Sequence, residues 1–194
     1  MSNFPHYFIA IPLPKRLQQF LADWQSELKT ILPYKQWTNI QDLHITLKYL
    51  GPVPDIKLKD LIKRLHAISF TPFHIQVGSI GMFGTSAKPR VLYAAVELSE
   101  ALADLQQQVE SVVSHEGFVP ERRSYTPHIT LAKKWNGSNS MPDEIEHIKR
   151  NFTEQKRLDV DQFLIYRIFP KESPTYRMEA IITAKGGGGT GAIN

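Results

Sequence analysis

The sequence predicts an α+β fold of two pseudo-symmetric lobes, each an antiparallel sheet with helices on its outer face, flanking a central cleft. Three observations carry this expectation. The tetrapeptide His-Ile-Thr-Leu occurs twice, at 44–47 and 128–131, an offset of 84. The pattern before it repeats at an offset of 85. Ile9, Ala10 and Ile11 fall against Ala94, Ala95 and Val96, and Leu17, Phe20, Trp24 and Leu28 against Leu102, Leu105, Val109 and Val113. Finally, the strands alternate in polarity, as in Leu158-Asp159-Val160-Asp161. That is the habit of antiparallel sheets with one covered face, whereas strands of a doubly wound parallel sheet read as continuous apolar runs.

The elements follow in order. Residues 7–13 are β-branched and aromatic, hence a strand, and Pro14 ends it near a helix start. Leu17, Phe20, Leu21, Trp24 and Leu28 recur at helical spacing and predict a helix over about 15–32. Residues 43–50 form a strand closed by Gly51-Pro52. A helix over 57–68 and a strand over 73–78 complete the first unit. The second unit repeats the order. A strand at 91–98 leads to a helix that Ser99 caps and that runs to about Glu116. A strand at 127–133, a helix at 142–151, a strand at 158–168 and a last strand at 177–184 follow. The expected organisation is one bilobal domain over 1–185 and a disordered Gly-rich tail over 186–194.

Composition narrows the function classes. The chain has 194 residues, 42% of them hydrophobic and 22% charged, as expected of a globular protein with a core. Apolar runs are short, such as 91–96, so no membrane span is predicted. The start, Met1-Ser2-Asn3-Phe4-Pro5, has no secretory-signal pattern. There is no cysteine, which excludes disulfides, thiolate metal sites and cysteine nucleophiles and reads as cytoplasmic. A net charge of +4 favours an anionic partner only mildly.

Residues i and i+2 of a strand share a face. His44 and Thr46 therefore point one way, and Ile45 and Leu47 the other; the same holds for His128 and Thr130. Pseudo-symmetry then brings two imidazoles and two hydroxyls around one space. This suits chemistry on a phosphodiester. One neutral imidazole takes a proton from water and a protonated one gives a proton to the leaving oxygen. The hydroxyls donate to non-bridging oxygens. The scheme needs neither metal nor cofactor. Each motif has one imidazole and no adjacent acid pair, although Asp42 precedes the first on the same parity. The Gly-x-Ser-x-Gly of a serine hydrolase is absent.

With these residues stated, the chain resembles the two-histidine (2H) phosphoesterase superfamily, in particular its LigT/ThpR-like branch. Those are RNA 2′,3′-cyclic phosphodiesterases, once described as 2′-5′ RNA ligases. The resemblance runs from Tyr7 to about Ala184. Trp37 and Leu43-His44-Ile45-Thr46-Leu47-Lys48-Tyr49-Leu50-Gly51 fit its first block, and Gly81-Met82-Phe83-Gly84 with Lys88-Pro89-Arg90-Val91-Leu92-Tyr93 its middle block. Thr126-Pro127-His128-Ile129-Thr130-Leu131-Ala132 fits its second block, and Tyr176 its last strand. The resemblance implies metal-independent opening of a 2′,3′-cyclic phosphate to a 2′-phosphate, with weak reverse ligation open to the same groups. It implies His44 as acid and His128 as base, with Thr46 and Thr130 on phosphate oxygens. Lys133 stands where the family usually has arginine. It keeps the charge and loses the bidentate fork.

Weaker candidates surround these. Phe83 and Tyr125 are placed to stack on a base. Lys48 shares parity with His44 and Thr46. Arg122 and Arg123 precede the second motif and, with Arg90, are placed to meet phosphates. The expected partner is an RNA end or a nucleoside 2′,3′-cyclic phosphate, met by a monomer. The competing expectations are a non-catalytic RNA-end binder and a 2H phosphodiesterase for 2′-5′ oligonucleotides or another small cyclic phosphate.

Overall fold

The computed structural model describes residues 4–85, 89–136 and 145–185. Lys88, the start of the expected 142–151 helix and the Gly-rich 186–194 segment lie outside the described residues. Within them the element order is β1 (His6–Pro12), α1 (Lys15–Lys29), β2 (Tyr34–Trp37), a 3-10 turn (Ile40–Asp42), β3 (His44–Pro52), α2 (Asp55–Leu65), β4 (Phe73–Gly84) and β5 (Pro89–Val96). Then come α3 (Glu100–His115), β6 (His128–Trp135), α4 (Ile145–Asn151), β7 (Gln155–Val160), β8 (Gln162–Ile168) and β9 (Tyr176–Thr183). Ser99 caps α3 as expected, its hydroxyl accepting from Leu102 N–H.

All strand pairings are antiparallel, and the strands form a sheet in the order β7-β4-β5-β6-β3-β1-β8-β9, with β2 added beside β6. The order is a palindrome about its middle. One half-sheet is β3-β1-β8-β9 and the other β6-β5-β4-β7. They meet at a single pair, Ile45 with Ile129, the central isoleucines of the two motifs. Both are fully buried on the helix side, so the pseudo-dyad passes between the motifs and the polar residues flank it on the opposite face.

The halves of the sheet are not the halves of the chain. The third strand of the first unit, β4, pairs with β5, and β8 returns to pair with β1. The expected strand over 158–168 is therefore two strands, broken at Asp161, because the chain crosses there from one half-sheet to the other. The helices exchange as well. On α1, Trp24 packs edge-on against Phe152 at the end of α4, and buried Gln25 donates to Leu131 O on β6. On α3, Glu110 pairs with Lys48 of β3, and Glu116 pairs with Arg64 of α2. Each helix thus covers the sheet built around the other unit's motif.

Both motif strands carry an extra residue at the end of the motif. On β3, Thr46 pairs with Ala10 and Lys48 with Ile9, leaving Leu47 as a bulge. On β6, Thr130 pairs with Tyr93 and Ala132 with Leu92, leaving Leu131. A bulge breaks the period of two. These pairings equate Ala10 with Tyr93. The β1–β5 correspondence is thus two residues from the offset of 85 expected from sequence, an even shift that keeps every side chain on its face.

The bulges correct one expectation directly. Lys48 does not reach the cleft. The extra residue turns it to the helix side, where it is 7% exposed and donates to Glu110 Oε1 at 2.7 Å and Val119 O at 2.9 Å. Glu110 also accepts from Glu121 N–H, tying the loop before β6 to α3. Removing one member of a buried pair strands the other charge. Glu110→Ala should therefore cost about 3 kcal/mol in denaturant unfolding. Lys48→Met with Glu110→Leu should recover most of that loss, and a double variant no better than the single would show that the charges themselves are required.

Candidate active site

The site is built where β3 and β6 diverge from the Ile45–Ile129 pair. The antiparallel direction sets His44 on the side of Thr130 and Thr46 on the side of His128. The two imidazoles are held alike. His44 Nδ1–H donates to Asp42 O at 2.7 Å and His128 Nδ1–H to Thr126 O at 2.8 Å, each to the carbonyl two residues before it. This fixes the tautomer and leaves Nε2 as the free lone pair. His44 Nε2 accepts from the Thr46 hydroxyl at 3.0 Å.

Aromatic rings wall both imidazoles. Phe8 lies 4.6 Å from His44, and Tyr176 meets it edge-on at 5.3 Å. Tyr166 stacks on Phe8 at 5.2 Å. Phe83 meets His128 edge-on at 4.8 Å, and Tyr93 stacks on Phe83 at 4.3 Å. The walls remove water from the rings. Burial accordingly pushes His44 down to about 4, and the charges of Lys133 and His128 push the same way, against the Asp42 carbonyl and carboxylate. His128 is lowered too, first by burial and then by Lys133, with its bond to Thr126 O opposing. Both shifts favour the neutral imidazole in the unliganded protein.

The bulge that removes Lys48 is what brings in Lys133. The extra residue on β6 returns Lys133 to the face of His128 and Thr130, where its charge acts on both imidazoles. Phe83 is on the wall of the site, stacked on Tyr93 and edge-on to His128. Tyr125 is committed elsewhere: its hydroxyl donates to Thr46 O at 3.0 Å and its ring packs on the core, so it ties the second motif's approach loop to β3 rather than offering a stacking face. Arg123 is 88% exposed, and its guanidinium is bound to Glu121, whose carboxyl is lowered to about 2 mainly by that contact. Among the described residues, no group of three or more His, Asp or Glu side chains is placed to hold a metal ion.

Phe8, Tyr166 and Gly81 were not singled out from sequence as site residues. Phe8 and Tyr166 face each other across β1–β8, a pairing that the repeat conceals because β8 belongs to the other unit. Gly81 is directly opposite Tyr93, and any Cβ there would overlap the Tyr93 ring.

An α+β fold of two such half-sheets, with one histidine from each flanking the dyad, defines a duplicated architecture. The comparisons agree. A profile of the 2′-5′ RNA ligase superfamily matches residues 13–168, and the chain belongs to that family. An RNA 2′,3′-cyclic phosphodiesterase of Bacillus subtilis is 33% identical over 89% of this chain and 92% of its own length. A Geobacillus stearothermophilus protein of the same name is 31% identical over 88% of this chain, which spans only 54% of that relative's length. In structure, Escherichia coli LigT complexed with 3′-AMP matches with a TM-score of 0.78 at 21% identity, covering 94% of this chain and 99% of that one.

Two outcomes follow from this geometry. The unfolded chain binds a proton at His44 near the ordinary pKa of 6.5, whereas the folded chain resists it down to about 4. The contribution of His44 to stability is thus complete above pH 6.5 and is lost as the pH falls toward 4. His44→Asn should flatten that part of the stability–pH curve measured by chemical denaturation; an unchanged slope would mean a solvated imidazole. Gly81→Ala should displace Tyr93 from beside His128 and slow turnover about tenfold or more while the melting temperature hardly moves. Full activity in that variant would show that the ring position is immaterial.

Proposed function

We propose that this chain hydrolyses 2′,3′-cyclic phosphate ends of RNA to 2′-phosphates, without a metal ion, by proton transfer at His44 and His128. The observation that supports this most is the pair of imidazoles related by the Ile45–Ile129 dyad, each with Nδ1 bonded to a backbone carbonyl. The names of the relatives support the same reaction. We take residues 1–185 as one functional unit and RNA as its partner, and a cysteine-free chain suits a reducing cytoplasm.

The reaction requires attack and departure on opposite sides of phosphorus. Water attacks phosphorus and gives its proton to His128 Nε2. The bond from phosphorus to the 3′-oxygen breaks, and that oxygen takes a proton from His44 Nε2. A neutral His44 must first be protonated, and the bound phosphodiester anion favours this, since an opposite charge within a few ångströms stabilises the imidazolium. Protonation also frees the Thr46 hydroxyl. It donates to Nε2 in the unliganded protein, and once Nε2 carries a proton it turns to a non-bridging oxygen. Thr130 supplies the matching donor from β6. Lys133 holds the phosphate as a point charge.

His44→Ala and His128→Ala should each lower turnover by about 10²–10⁴. Neither side chain fills a core cavity, so both variants should melt cooperatively near the wild-type temperature. Thr46→Val and Thr130→Val should each cost about 2.7–4 kcal/mol in the transition state. The deciding assay follows an oligoribonucleotide 2′,3′-cyclic phosphate by phosphorus NMR in excess chelator. A 2′-phosphate product is expected. A 3′-phosphate, or turnover restored only by an added divalent cation, would overturn the reading.

A further inference from the structure

The two motifs are near copies, yet the residue two positions before each histidine differs. His128 follows Thr126, whereas His44 follows Asp42. The carboxylate of Asp42 is not idle. Asp42 is 4% exposed and accepts from the Thr175 N–H at 2.8 Å through Oδ2 and from the Tyr176 N–H at 3.1 Å through Oδ1. Those two amides open β9, and the Tyr176 ring they carry meets His44 edge-on and Phe8 at 4.8 Å. The same residue offers its carbonyl to His44 Nδ1. One buried residue therefore joins the β8–β9 loop and the aromatic wall, through its carboxylate, to the orientation of one imidazole, through its carbonyl. A second, separate bond, from Asn39 Nδ2 to Ser173 Oγ at 2.9 Å, tethers the same loop without touching the carboxylate.

We propose that Asp42 is a positioning residue for His44: its carboxylate holds the start of β9 so that Tyr176 closes the site, and its buried negative charge is the counter-charge that lets His44 carry a proton in the reaction. The proposal rests on the acid–base reading of His44. The groups facing His44 are Lys133 and His128 from β6, Tyr166 from β8 and Tyr176 from β9. Of these the first two oppose protonation, and the two phenols are neutral near pH 7. None of these supplies negative charge; Asp42 does. The His128 side has no such group at the equivalent position, so the device makes an otherwise symmetric pair unequal.

Asp42→Asn keeps the volume and removes the charge. Turnover should fall about 10–100-fold with KM for the cyclic phosphate within about threefold. In the same variant the His44 midpoint, read by imidazole NMR, should move to lower pH while that of His128 stays. Ser173→Ala breaks the separate tether and should leave turnover and the His44 midpoint unchanged. The intact protein gives a test that needs no variant. The Thr175 and Tyr176 amide signals should shift with a midpoint equal to that of His44. Unchanged turnover in Asp42→Asn, equal movement of both imidazoles, a Ser173→Ala variant that reproduces the loss, or amide signals blind to His44 would each overturn the proposal. The NMR readings need no substrate, so they stand apart from any failure of the phosphodiesterase assay.

Discussion

Two bulged residues, Leu47 and Leu131, decide which side chains face the site. Ahead of each bulge the strand alternates, so histidine and threonine face the cleft while isoleucine and leucine enter the core. A regular strand would continue that alternation and turn Lys48 toward the histidines and Lys133 away. The extra residue reverses both. Each bulge is braced by a polar side chain at equivalent positions of the exchanged helices. Glu110 of α3 binds Lys48, and Gln25 of α1 donates to Leu131 O and Thr38 O at 2.9 Å each. The offset between those residues is 85, that of the helices. One device thus serves both motifs, with an ion pair in one copy and an amide in the other.

The exchange of elements makes this bracing possible. Were each unit to fold alone, α1 would cover its own β3. Instead α1 reaches β6 and α3 reaches β3, so each motif is held by the other half of the chain. The two imidazoles thereby sit on strands that meet at one pair and diverge from it. The proposed reaction on a phosphodiester calls for such an arrangement, with a proton donor and a proton acceptor on opposite strands. The aromatic walls complete it. By removing water from both rings they favour the neutral imidazoles, and low polarity strengthens the interactions made there.

Much of this was legible in the residues. The duplicated motif, the helical faces, the Ser99 cap and the antiparallel habit follow from periodicity and local chemistry, which depend on near neighbours in sequence. The placement of Lys48 did not follow, because a bulge is visible only in the pairing of two strands. The same is true of β2, four residues between two stronger signals, whose pairing with β6 supplies what its own pattern lacks. The split at Asp161 and the pairing of Phe8 with Tyr166 depend on the crossing of the chain between half-sheets. The ion pair of Arg123 with Glu121, two residues away, is likewise not announced by residue type alone.

In the proposed reaction the two imidazoles divide the work, one protonating a leaving oxygen and one activating water. A leaving group that needs no proton separates the roles. Turnover of wild type, His44→Ala and His128→Ala is compared on a ribose 2′,3′-cyclic phosphate and on a nitrophenyl phosphodiester. The account predicts that His44→Ala loses far less on the nitrophenyl substrate than on the cyclic phosphate, while His128→Ala is crippled on both. Equal losses by both variants on both substrates would contradict the division of labour.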